Sequence, residues 1–449
     1  MYSPIIERFA EKSPVPVMVQ GILERLLNAK LLDAWFERVR DKQYTRKILF
    51  SSLVFMMLEV VCRVRSSVHA AYMASDLDVT RMALYQKLQQ MELSTSQELV
   101  RYTSTEARTI IQELGAEQKP LLPGYRVKIV DGNCIESTEH RLGVLRETAA
   151  APLPGKSLVV FDPALELVID VFPCEDGHAQ ERALLGEILA TVEANDLWVA
   201  DRNFCVVHFL LSIAQQDGFF TIRQHKRMPY TPLAGLKQVG QTESGILYEQ
   251  PVSITDGQTT LQLRRIVLKL NKATRKGETE IGLFTNLPPE VPASTIASIY
   301  RSRWRIETGF QKLEAYLNSE INTLAYPKAA LFSFCLALIA FNIYAVVMAA
   351  IRAANPELNV QDEVSDYYIA EEIKATYNGM MIAIPDDDWR IFSHVSTPVF
   401  CQMLLHLAQQ IDLRKFKKHK RGPKKKPKPK TKHVGKPHVS TAKLLAQNK

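Results

Sequence analysis

The sequence predicts an α/β protein: a mixed core interrupted by a strand-rich insertion and preceded by an all-helical region. Three observations carry this. Residues 1–118 place apolar side chains at helical spacing with few turn signals. Between residues 125 and 201 the texture runs β-β-β-α-β, and from 219 to 287 strands dominate before helices resume. A chain of 449 residues with 46% hydrophobic and 23% charged side chains can bury a large core divided among two or three domains or sub-domains.

The helical region opens with "VQGILERLLNAKLLDAWFERV" and "TRKILFSSLVFMMLEVVCRV". Next, "SSVHAAYMASDLDVTRMALYQKLQQM" reads as helix, polar turn, helix, the order of a helix-turn-helix. Arg81, Gln86, Lys87 and Gln90 then face a DNA groove, or the pair is an ordinary helical hairpin that touches none. At "KPLLPGYRVKIVDGN", Pro120, Pro123 and Gly124 end the helices and a strand runs to Asp131. "KSLVVFDP" and "LELVIDVFP" are further strands joined by a tight turn at Pro163. "AQERALLGEILATVEAND" has the spacing of an amphipathic helix, and "LWVADRNF" is a short buried strand ending at Asp201, with "CVVHFLLSIAQQDG" the helix after it. The runs "GFFTIRQH", "GILYEQPVSI", "LQLRRIVLKL" and "EIGLFTNLP" make the inserted sheet. "PASTIASIYRSRWRIE" then starts a helix near Pro292 and Ser294.

Charge is unevenly spread. Of the 56 lysines and arginines, 15 lie from Arg414 onward, where there is no Asp or Glu; the rest carries 41 basic against 48 acidic side chains, a formal −7. The tail therefore holds the whole excess behind the net +8. Rich in lysine and proline, it is expected to be disordered, and it either binds phosphate backbones through counterion release or only solubilises the chain. The cysteines form no C-x-x-C pair and no His cluster has zinc spacing, so a disulfide framework and a structural zinc are excluded and a cytoplasmic protein is expected. "MYSPIIERFAEKSP" has no apolar run of signal-peptide type. "ALFSFCLALIAFNIYAVVMAAI", residues 330–351, is long enough to span a bilayer, but a helix buried on all sides has the same composition; no membrane partner is expected.

Three carboxylates stand out. Acids at the C-terminal ends of neighbouring strands point into the crevice where open α/β sheets bind ligands, and Asp131 and Asp201 both end strands. Glu307 lies in "IYRSRWRIETGFQKLE", where Tyr300, Arg303 and Glu307 fall on one side of a helix. Three such oxygen ligands suit Mg²⁺ or Mn²⁺, and two ions about 4 Å apart would activate a water or hydroxyl and stabilise the leaving oxygen of a phosphodiester. Each acid also has a plain reading. "VDGN" could be a type I′ turn, Asp201 a helix N-cap, and Arg303–Glu307 an exposed ion pair. Asp162, Asp170, Glu175 and Asp176 are rival acids.

The joint pattern resembles a DDE transposase of the bacterial insertion-sequence family with a Y-x2-R-x3-E-x6-K signature. Tyr300, Arg303 and Glu307 match its first three positions, and "VDGN" and "ADRNF" look like its two aspartate motifs. The resemblance covers roughly residues 120–350 and implies a ribonuclease H-like fold, catalytic and metal-binding roles for Asp131, Asp201 and Glu307, and double-stranded DNA as partner. With the spacing and composition above, it gives a helical DNA-binding region at 1–118, a core at 119–218 and 288–412, an inserted sheet at 219–287 and a disordered tail at 413–449. The expected activity is cutting at transposon ends and joining of the 3′ ends to target DNA, in the nucleoid-associated cytoplasm, by a chain that dimerises on DNA. A DNA-binding protein without activity and a ribonuclease H-like nuclease without strand transfer are the alternatives. Arg303, Tyr300, Trp304, Lys312, Arg81 and Lys87 are the expected DNA contacts. One position departs: the signature's lysine falls at Glu314, and Lys312 would reach the Glu307 face only through a π-bulge at Gly309.

Overall fold

The computed structural model describes residues 2–136, 138–139, 141–146, 148–274, 276–419 and 436–447. Seven helices form the N-terminal part: α1 (Pro4–Lys12), α2 (Pro14–Leu27), α3 (Ala29–Val39), α4 (Phe50–Val61), α5 (Val68–Ala74), α6 (Arg81–Gln89) and α7 (Leu93–Glu113). Ser3, Asn28, Ser67 and Thr80 start α1, α3, α5 and α6 by accepting backbone N–H groups that have no partner inside the helix. The helix pair expected from the sequence is α5 and α6, joined by residues 75–80.

The chain then enters the sheet through β1 (Arg126–Ile135), α8 (Gly143–Arg146), β2 (Ala151–Leu153), β3 (Gly155–Asp162) and β4 (Leu167–Cys174). It continues through α9 (Leu185–Leu189), β5 (Asp196–Ala200), α10 (Val207–Gln215) and β6 (Phe219–Arg223). The strands lie in the order β4-β3-β1-β5-β6, with β3 antiparallel to β1 and β4 and with β1, β5 and β6 mutually parallel. That order and polarity are those of a ribonuclease H-like core.

Beyond β6 the sheet continues through β11 (Glu280–Thr285), β10 (Thr260–Leu270) and β9 (Gly245–Thr255), and β9 also carries β7 (Thr231–Pro232) and β8 (Lys237–Thr242). The insertion is thus continuous with the core sheet. Residues 219–223, assigned from sequence to the insertion, are instead the fifth core strand, because β6 pairs in parallel with β5 from Leu197–Phe219 to Ala200–Ile222. Two other expectations change. β1 does not stop at Asp131 but stays paired with β3 to Ile135, so "VDGN" is strand and not a type I′ turn. The helix expected over 179–196 is a 3₁₀ turn, Glu181–Leu184, running into the short α9.

After α11 (Ala293–Arg301) and α12 (Trp304–Tyr316) comes α13 (Pro327–Ala354), the apolar stretch that could have spanned a bilayer. It is the central strut, packed against α2, α4, α7 and β4. The chain then continues through α14 (Val360–Glu363), α15 (Asp366–Ala383), α16 (Asp386–Trp389), α17 (Ile391–His394) and α18 (Thr397–Gln409), the last also packed against α13. One hydrophobic core joins the N-terminal helices, α13 and α18 to one face of the sheet, including Ile129, Val199 and Leu197; a second, built on Trp198, Phe204 and Phe209, covers the other face. The N-terminal helices therefore have no core of their own.

Most of the basic stretch, residues 420–435, lies outside the described residues. Residues 436–447 are ordered, contrary to the expectation for 413–449: β12 (His438–Ser440) pairs in parallel with β2, and α19 (Thr441–Gln447) follows. Lys443 reaches Asp176 at 3.0 Å.

Candidate active site

Backbone register brings the two aspartates together. β1 and β5 run parallel with Ile129 opposite Val199, and their pairing breaks off there. Asp131 and Asp201 each lie two residues further on, so their side chains emerge on the same face where the two strands part. Asp131 accepts the Gly132 amide on Oδ1 at 2.9 Å. Asp201 accepts the Asn203 amide on Oδ1 at 2.7 Å, so its role as an N-cap is real and uses one carboxylate oxygen.

Gly132 has a steric reason. A Cβ there would run into Glu181 Oε1 and Cδ, so a larger residue would push this flexible carboxylate away from β1. Glu181 Oε2 accepts from Asn203 Nδ2 at 3.1 Å and so links β1 to the loop carrying Asp201. The sequence reading did not single out Glu181, whose only sequence signal is its place in a run that looks helical.

Glu307 comes from the helix pair α11–α12. The two helices are separated at Ser302 and Arg303, where Arg303, Arg305 and Ile306 each donate to the residue three positions back. This is a tightened, 3₁₀-like turn. The proposed π-bulge at Gly309 does not exist: α12 is regular through Tyr316, and Lys312 pairs with Asp366 at 2.8 Å, away from the Glu307 face.

Arg303 is the centre of the arrangement. Although it neighbours exposed Trp304, its own residue is only 8% exposed. Nη1 lies 2.6 Å from Asp131 Oδ2 and Nη2 lies 2.6 Å from Glu307 Oε1. The i,i+4 pair is therefore present, as one arm of a buried fork. Burial pushes the Asp131 carboxyl up to about 6, with Arg303 and the Gly132 amide opposing and Asp201 and Glu307 adding to the rise. Tyr300 is buried beside Arg303, and burial pushes its phenol up.

Of the other expected DNA contacts, Arg81 is exposed at the start of α6. Lys87 is not available to a groove in this arrangement: its Nζ donates to the Tyr44 carbonyl at 2.9 Å and sits over the Phe36 ring. Trp304 is 59% exposed.

Among the described residues no three His, Cys, Asp or Glu side chains already form a closed metal cluster. The donor set fits a divalent ion nonetheless. Its members are carboxylates, and a cationic group, the Arg303 guanidinium, stands in between Asp131 and Glu307.

A ribonuclease H-like sheet with paired aspartates at the parting of its central strands and a glutamate brought over them by a helix defines a class of polynucleotide-processing proteins. Residues 123–343, about half of the chain, match the family model described as transposase DDE domain, and the chain is a member of that transposase family. A curated relative, "Putative transposase y4zB" of Sinorhizobium fredii (strain NBRC 101917 / NGR234), is 26% identical over 217 residues, 44% of this chain and 56% of the relative. The match thus spans little more than half of that relative's length. Among solved structures, the cryo-EM structure of piggyBac transposase synaptic complex with hairpin DNA aligns at a TM-score of 0.38 and 11% identity, covering 89% of this chain and 86% of that one.

Proposed function

We propose that this protein cuts DNA at the ends of a transposable element and joins the 3′ ends to target DNA, with Asp131, Asp201 and Glu307 as the catalytic carboxylates. The observation that carries the reading is the register of β1 and β5, which sets Asp131 beside Asp201 on the face that α12 covers with Glu307 and Arg303. These carboxylates would hold Mg²⁺ or Mn²⁺, two ions in the full arrangement, and the bound metal would supply an activated hydroxyl and stabilise the leaving oxygen.

The chain's own residues orient and exclude. Gly132 and Asn203 hold one oxygen of each aspartate, fixing the outward direction of the other. Tyr300 and the buried part of Arg303 close the floor of the site against water. Trp304, Arg301 and Arg305, exposed on the helix pair that carries Glu307, would offer a stacking surface and two phosphate partners for the DNA end. Arg81 at the start of α6 and the basic tail supply further phosphate contacts. Since one chain carries one such site and an element has two ends, two chains would act together on DNA, in the nucleoid of the cytoplasm.

Replacing Asp131, Asp201 or Glu307 by the corresponding amide should abolish Mn²⁺-dependent nicking of DNA taken from the flanks of the protein's reading frame, while gel shifts persist. Near-native nicking by any one of the three removes that residue from the set. A protein that binds DNA without cutting it is the second reading. What favours it is Glu314 at the signature's lysine position, with Lys312 committed to Asp366; wild-type gel shifts with no nicking in Mn²⁺ would establish it.

A further inference from the structure

We infer that Arg303 is a resident counter-cation of the carboxylate site, which a divalent ion can replace only when a phosphate of the DNA end draws the guanidinium away. The inference rests on the carboxylate reading above and adds a coupling between DNA binding and metal binding.

The hydrogen bonds of the site show what is engaged. Asp131 gives Oδ1 to Gly132 and Oδ2 to Arg303, Glu307 gives Oε1 to Arg303, and Asp201 gives Oδ1 to Asn203. Four of the six carboxylate oxygens are thus used inside the protein, two of them by one guanidinium. An ion bound at Asp131 Oδ2 or Glu307 Oε1 would stand at about 2.1 Å from that oxygen, against a cationic nitrogen already 2.6 Å away. Two positive groups that close repel strongly in a partly buried site, so arginine and metal exclude each other.

The same fork cannot serve a phosphate at the same time, because both Nη atoms are committed to carboxylates. A phosphate offers the guanidinium an equivalent bidentate match. The way out is short: the Arg303 guanidinium carbon lies 5.7 Å from the centre of the Trp304 ring, and that ring is at the surface, as are Arg301 and Arg305. Moving outward over this ring, Arg303 would leave Asp131 and Glu307 facing Asp201 with no internal cation. DNA end and metal then favour each other, and the coupling is reciprocal. Without an end in place, the site stays neutralised by its own arginine.

Mn²⁺ titrated calorimetrically into DNA-free protein tests this, with Glu307→Gln as the control that identifies the site. Arg303→Gln should bind Mn²⁺ about tenfold more tightly than wild type, within the usual range of coupling between sites. Arg303→Lys, which keeps the charge but cannot fork across both carboxylates, should fall between them and decides the matter if Arg303→Gln does not fold. A duplex from the flanks of the reading frame should tighten Mn²⁺ binding to wild type far more than to the arginine variants. Equal Mn²⁺ affinity in wild type and the arginine variants without DNA overturns the inference and leaves the carboxylate reading standing. If no protein, with or without duplex, binds Mn²⁺ in a way that Glu307→Gln removes, both fall.

Discussion

Asp131 concentrates the chemistry of the site into one titration. Burial raises its carboxyl from 3.8 to about 6, so the folded protein holds this proton to higher pH than the unfolded chain does. Its contribution to stability is therefore complete below pH 3.8 and is lost as the pH rises through about 6. Thermal melts of metal-free protein should show wild type losing more stability than Asp131→Asn between about pH 4 and pH 7. The same proton competes with metal, so Mn²⁺ affinity of the DNA-bound protein should fall toward acid pH. A flat affinity profile from pH 5 to pH 8 would show that Asp131 is not a ligand.

At the scale of elements, α13 explains both the most apolar stretch of the sequence and one polar residue inside it. Asn342 is fully buried, and its side chain accepts from the Val168 amide at 2.8 Å and donates to the Val168 carbonyl at 2.7 Å. It completes β4 at the β-bulge where Val160–Asp170 pairing shifts to Phe161–Val168. Asn342→Leu keeps the branched shape but strands both backbone groups of Val168, and should cost about 2–4 kcal/mol in chemical denaturation. A loss below about 0.5 kcal/mol would mean that the strand finds other partners. The pair α11–α12 makes the opposite point. Its tightened turn at Ser302–Arg303 sets the direction of Arg303, whereas a continuous helix would carry the guanidinium elsewhere.

At the scale of the whole molecule, the N-terminal helices share their core with α13 and the sheet, while residues 414–449 carry the basic excess of the sequence. Deleting those residues should weaken binding to specific and unrelated DNA alike and flatten its salt dependence, as expected when phosphate contacts are lost without base contacts. Unchanged salt dependence would leave the tail a solubilising one. Because β12 adds to β2, deletion of 436–449 alone should leave the salt slope nearly intact but lower the melting temperature; no change in melting would show that β12 does not hold β2. Paired action is tested by mixing Glu307→Ala with a chain defective in end binding. Recovered cleavage shows that one chain grips the end its partner cuts, and no recovery in any ratio excludes that division of labour.

The sequence by itself determined the β-strand order in the chain, Asp131 and Asp201 as the acids of two of those strands, the helix carrying Glu307 and the charge of the tail. These follow from local patterns: alternation, helical spacing, turn residues and composition. Tertiary structure decided the rest, because pairing joins residues far apart in the chain. Only the β1–β5 register sets Asp131 beside Asp201, and only the pairing of β1 with β3 as far as Ile135 turns an apparent turn into continuous strand. Residues 219–223 look like part of the insertion until β5 claims them as its neighbour. Lys312 looks available until Asp366, 54 positions on, takes it, and Arg303 looks like a surface residue until Asp131, 172 positions back, draws it inward. A charged side chain's role depends on which opposite charge the fold brings within about 3 Å, and no local pattern encodes that distance.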